Sequence, residues 1–180
     1  SIGIGMACVD VSTGKSKVYE AWDEDGTDNT AMEEARRFLK TTNPSEVILS
    51  IPNNVVLEGD EETSNEEFIN HLDLNSTPVH FIDEQNWKSK CFKLDYQNQL
   101  LGEVFRNHGM LTPIEFLDLE KMNLSTTALT CMLKFAEQHD ERIISKIWHP
   151  EIWEIDDHLV LVNNCISQLN LTSSNNLDIS

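Results

Sequence analysis

The chain has 180 residues and a formal net charge of −18, from 13 Lys and Arg against 31 Asp and Glu. That imbalance argues against direct binding to DNA, because affinity for a phosphate backbone comes largely from Lys and Arg displacing counterions. At 39% hydrophobic and 24% charged, the composition is that of a folded protein and not a disordered tail, and the length suits one domain with a short appendage.

Ile4, Met6 and Cys8 alternate with Gly5, Ala7 and Val9, so both faces of this first stretch are apolar or small. Such a stretch predicts a strand covered on both sides, near the centre of a sheet. Ser12-Thr13-Gly14-Lys15 is a turn signal, and Lys15 to Ala21 returns as a second strand, which makes a hairpin. Thr30 followed by Glu33 has the spacing of a capping box, and Ala31, Met32, Ala35, Phe38 and Leu39 then share one helical face through Lys40. Asn43-Pro44 ends that helix, and Glu46 to Ile51 reads as a strand crossing back into the sheet.

An acidic loop from Glu58 to Glu67 leads to a short helix, and Val79 to Ile82 is a further strand bounded by Pro78 and Asp83. Leu100, Leu101, Val104 and Phe105 predict a helix over Tyr96 to Phe105 despite Gly102. Thr112-Pro113 fits an N-cap with proline at the first helical position, opening a short turn through Leu119. Leu124, Ala128, Leu129, Met132, Leu133 and Ala136 then form an apolar stripe ending near His139. Beyond Arg142, Ile143-Ile144 and Ile147-Trp148 read as an extended exit. Asn163 caps a helix carrying Ile166 and Leu169, and 172–180 is a Ser/Asn-rich tail.

The expected division is therefore 1–142 as an α/β domain, a mixed sheet flanked by helices, and 143–180 as an exit segment with a C-terminal helical appendage. The opening Ser1-Ile2-Gly3-Ile4-Gly5 has no basic stretch leading into an apolar run, and it starts on strand-like sequence without Met. This reads as a piece of a larger intracellular protein with no membrane association, and Cys8, Cys91, Cys131 and Cys165 as reduced thiols. From Glu20 to Asp73 fifteen acids face three bases, which reads first as a solvated face and second as a docking surface for a basic partner or a metal site.

Catalytic chemistry has one opening. A hairpin followed by helix and strand, with Asp10 near the end of the first strand, has the layout of ribonuclease H-like nucleases, which hold two Mg²⁺ ions between clustered carboxylates. The helix offers Glu33 and Glu34, but the next strand ends Leu49-Ser50-Ile51-Pro52 without an acid. Asp10 is thus better read as a turn residue capping the backbone around Ser12 and Thr13. The chain has no GxxxxGK[ST] loop, and His71, His80, His108, His139, His149 and His158 lack paired ligand spacing. No catalytic, cofactor or metal site is expected.

Four stretches, in order, resemble the connector domain of MutS-type DNA mismatch-repair proteins. Ile4 to Lys15 is similar to the family's opening hairpin, an aliphatic strand ending in Asp-hydrophobic-Ser/Thr-Ser/Thr-Gly. Thr42-Asn43-Pro44-Ser45-Glu46-Val47-Ile48-Leu49 is similar to its Asn-Pro-x-Glu approach to a strand, and Leu124 to His139 to its closing helix. Asp157 to Asn163 and Gln168 to Leu171 resemble the start of the lever/core domain, although the family favours Asp where Asn163 stands and Glu where Asn170 stands. The stretch Gly109 to Glu120 is longer than the compact bacterial pattern, which puts local alignment there in doubt.

The resemblance implies a ribonuclease H-like fold without nuclease activity, joining a mismatch-binding domain to levers and an ATPase. It further implies a surface for a MutL-type partner near Gln99 and Leu100. ATP and Mg²⁺, the contact with DNA and a homo- or heterodimeric state would belong to the larger protein.

Overall fold

The computed structural model describes residues 2–23, 29–51, 64–82 and 89–154. It is a mixed α/β arrangement. Strands β1 (Gly3–Val9) and β2 (Ser16–Trp22) form an antiparallel hairpin, in register from Gly3 opposite Trp22 to Val9 opposite Ser16. β5 (Glu151–Ile152) adds in parallel to β2, with Lys17 opposite Glu151 and Val18 opposite Ile152. β3 (Val47–Leu49) and β4 (Val79–Phe81) form a separate parallel pair. The helices are α1 (Thr30–Thr42), α2 (Asn65–His71), α3 (Ser89–Cys91), α4 (Leu94–Val104), α5 (Pro113–Phe116), α6 (Asn123–His139) and α7 (Glu141–Ile144).

The twofold alternation of side chains assigns the hairpin's two faces to two cores. Met6 and Ala21, flanked by Ile4, Cys8 and Tyr19, pack with Ala31, Met32, Ala35 and Phe38 of α1, with Val47 and with Phe68 of α2. Val18, flanked by Ala7 and Val9, packs with Leu100 and Leu101 of α4, Ile114 of α5, and Leu129 and Leu133 of α6. Each fully buried leucine here contributes about 1.5–3 kcal/mol. Gly3 and Gly5 lie on the α6 side, and a Cβ on Gly5 would collide with the backbone carbonyl of Leu124. Small residues on that face let the helix lie directly on the strand.

Carboxylates from β2 and the residue after it start the two longest helices described. The cap of α1 is not the Thr30–Glu33 box expected from spacing, because Thr30 is already helical and Asn29 makes no side-chain cap bond. Instead buried Asp23 accepts the Ala31 N–H at 2.9 Å and the Ile2 N–H at 3.2 Å. Glu20 on β2 accepts the N–H groups of Leu124 and Ser125 at 2.8 and 3.0 Å, supplying the anion that α6's own N-cap lacks. Local boxes do form at Ser64–Glu67 and Thr112–Glu115, the latter with Pro113 as anticipated. Asn43, in the left-handed region at φ 44°, closes α1.

Three expectations need correction. Within the described strands β2, not β1, is central to the three-stranded sheet, because β5 bonds to its open edge. β3 pairs with β4 rather than returning to that sheet, and its Val47 reaches Met6's core only through side chains. The stretch after Arg142 is not an extended exit at first: Asp140 accepts the Arg142 N–H at 2.9 Å and starts α7, and Ile147 is then buried in the second core. Within residues 143–154, Ile147 packs in the second core and Trp153 against the first. The appendage around Asn163, Ile166 and Leu169, the tail and Cys165 lie outside the described residues. Among the described residues no helix is long and apolar enough to cross a membrane.

Candidate functional site

Asp10 sits exposed at the tip of the hairpin. Its Oδ1 accepts the Ser12 N–H at 2.9 Å and the Ser12 hydroxyl at 2.6 Å, and its Oδ2 accepts the Thr13 hydroxyl at 2.8 Å. The Gly14 N–H closes on the Asp10 carbonyl at 2.7 Å. This is the turn-capping role read from the sequence, in which a short acidic side chain satisfies the donors of its own loop.

The other acids of the two-metal reading are placed elsewhere: Glu34 accepts the Tyr19 hydroxyl at 2.8 Å, and Glu33 lies exposed in the first turn of α1. Among the described residues no three His, Cys, Asp or Glu side chains converge on one point. A divalent ion at Asp10 would have to displace the Ser12 and Thr13 hydroxyls and find its remaining ligands in water, so this set does not fit a two-metal centre.

The hydrogen bonds from Ser12 and then Thr13 hold the Asp10 carboxyl at about 2, below its ordinary 3.8. A depressed value in the folded state means that the turn's contribution is present above pH 3.8 and disappears as pH falls through about 2. NMR titration of the Asp10 carboxyl carbon should therefore give a midpoint near 2, rising toward the ordinary value in a Ser12→Ala, Thr13→Ala double variant. A wild-type midpoint near 3.8 would contradict the geometry.

The same turn holds the strap formed by residues 146–153. The Trp148 N–H donates to the Gly14 carbonyl at 2.8 Å, and the Ser16 hydroxyl donates to the Trp148 carbonyl at 3.0 Å. Gly14 has φ +78° and lies against the Lys146 carbonyl so closely that no Cβ fits, so glycine is required there on both counts. Further along, the Trp153 N–H donates to the Val18 carbonyl at 2.8 Å, and the Trp153 ring stands edge-on to Tyr19 and Phe38, with centroids 4.9 and 5.5 Å apart. His149 reaches sideways to the Phe116 carbonyl at 3.0 Å. The strap is thereby tied to the hairpin tip, β2, α1 and α5. The sequence reading missed it; the local signal was Trp148 and Trp153 around Pro150, residues that need partners.

The pair proposed for partner binding divides. Gln99 is exposed on α4 and its amide donates to Glu103 at 3.2 Å, whereas Leu100 is 3% exposed and part of the second core. Successive helical residues point about 100° apart, so both cannot face a partner. The exposed apolar side chains at the start of α4 are instead Phe92, just before it, and Leu94, its first residue, at 54% and 62%.

No family model matches the chain. The chain is 30% identical, over 195 aligned residues, to a mutS homolog of Acanthamoeba polyphaga mimivirus that is named as a DNA mismatch repair protein. The alignment takes in 99% of this chain and 17% of the relative, so the chain spans about a sixth of that protein's length.

Proposed function

We propose that this chain is a non-catalytic connector of a MutS-like mismatch-repair protein, passing conformational change between a mismatch-binding part and a lever and ATPase part. The observation that carries this reading is that the first and the last described stretches are both bonded to one hairpin. Ile2 is bonded to Asp23 at the end of β2, and the strap leading to residue 154 is bonded to Gly14, Ser16 and Val18 of the same hairpin. A displacement at either end therefore loads one hydrogen-bonded ladder backed by two cores, which moves as a unit because packed interiors resist continuous deformation.

The similarity to the viral mutS homolog over nearly the whole chain supports the repair setting. The antiparallel hairpin with helices packed on both of its faces supports a reduced ribonuclease H-like fold, although β3 and β4 form their own pair. On this reading ATP and Mg²⁺ are held by other parts of the larger protein, itself a homo- or heterodimer. DNA contact is made there too, since the charge of −18 disfavours it here. A MutL-type partner docks on the exposed first turn of α4, where Leu94 and the preceding Phe92 offer apolar contact.

One pair of assays separates this from a metal-dependent nuclease. With Mg²⁺ or Mn²⁺ the protein should leave branched and RNA–DNA hybrid substrates intact, and a cognate MutL-type protein should capture it, with capture reduced about tenfold or more by Leu94→Asp. Metal-dependent cleavage abolished by Asp10→Asn would establish the nuclease instead. Capture indifferent to Leu94→Asp would remove the docking face but leave the connector reading standing.

A further inference from the structure

We propose that Cys91 of α3 and Cys131 of α6 are a redox pair that closes to a disulfide, fastening α3 to the middle of α6. The two thiols are in hydrogen-bond contact, and both are buried, at 0% and 5% exposure. Their approach is built by other bonds. The Gln97 amide, itself buried, donates to the Cys91 carbonyl at 2.7 Å and to the Thr127 hydroxyl at 3.1 Å. Thr127 lies one helical turn before Cys131 on the same face of α6, so this side chain clamps the Cys91 backbone to the stripe that carries the second thiol.

Lys134, three residues beyond Cys131, adds a positive charge felt at Cys91. Hydrogen bonding from Cys131 holds the Cys91 thiol below the ordinary thiol range even though burial acts in the other direction. Cys8 on β1 has the opposite tendency, its thiol pushed up by burial, so chemistry is directed to the pair.

The oxidant is a low-molecular-weight disulfide. The Cys91 thiolate attacks one of its sulfurs, forming a mixed disulfide and releasing one thiol. The Cys131 thiolate then displaces the second thiol and closes the Cys91–Cys131 bond. In total two S–H bonds are lost, one S–S bond forms, and the oxidant takes up two electrons and two protons to become two thiols. Access comes from opening of α3, a three-residue turn and so among the less cooperative pieces of the fold. Closure joins the two ends of the segment that carries α4 and α5, and so fixes the exposed face of α4 relative to α6.

The test is oxidation of the folded protein with oxidised glutathione, followed by alkylation, digestion and mass spectrometry. The expected result is a Cys91–Cys131 cross-linked peptide, a fall from four alkylatable thiols to two, a raised melting temperature, and reversal of all three by dithiothreitol. Cys131→Ala should stop the reaction at a glutathione adduct on Cys91. Because that variant could fail to fold, the wild-type map decides alone. Retention of all four thiols, a cross-link to Cys8 or Cys165, or glutathione adducts without closure would each overturn the proposal.

Discussion

Alanine at Gly5 should destabilise the fold by about 3 kcal/mol or more, a large share of what holds a domain of this size together. The new Cβ would occupy the space of the Leu124 carbonyl group, which is backbone at the head of α6 and cannot rotate aside as a side chain would. Relief requires the helix to lift from β1. That would loosen Leu129 and Leu133 from Val18 and pull the N–H groups of Leu124 and Ser125 from Glu20. Gly109→Ala is the control: at φ +63° it bears a conformational strain of about 1–2 kcal/mol, but its Cβ meets nothing within 4 Å. Urea midpoints of the two variants should differ in that order. The reverse order would mean that α6 does not rest on the first strand.

Glu20→Ala should be the next most damaging, at about 2–3 kcal/mol, because hydrogen bonds to an ionised acceptor exceed neutral ones and two helix-start donors lose their partner together. The Trp22 indole N–H, which donates to the other carboxylate oxygen at 2.9 Å, is released in the same step. Glu20→Gln keeps one acceptor oxygen and should recover roughly half of the loss. Hydrogen exchange would localise the effect, with the Leu124 and Ser125 amides accelerating in the alanine variant before those at the centre of α6. Unchanged exchange at those amides would show that water serves them as well as the carboxylate does.

These two positions also mark where sequence reading stops. Helices α1, α4 and α6 were legible because their apolar residues recur with the helical period, and the hairpin because Ser12-Thr13-Gly14 announces its turn. Glu20 caps Leu124 across 104 residues, and Asp23 caps Ala31 across eight. No local spacing encodes either bond, and in the second case a plausible local pattern, Thr30 with Glu33, pointed to the wrong cap. β5 is two residues long, too short for any alternation to register.

At the candidate sites the record is similarly divided. The Asp10 turn followed from its neighbours because all its partners lie within three residues. The strap did not, since its partners Gly14 and Ser16 are far away in sequence. The Gln99 and Leu100 assignment could have been refined from helical geometry alone, since Leu100 shares the stripe of Leu101 and Val104.

The late arrival of β5 has a consequence for biosynthesis. On the ribosome, β2 has its first neighbour as soon as the hairpin emerges, but its other edge waits until residues 151–152 are made, after every helix described here. For that interval the nascent chain displays an unpaired edge strand at Lys17 and Val18. Such an edge is a template for a neighbouring polypeptide, and pairings this distant in sequence close slowly. Stalling between α6 and Trp153 should therefore be the most hazardous point in synthesis, and chaperone occupancy should peak there.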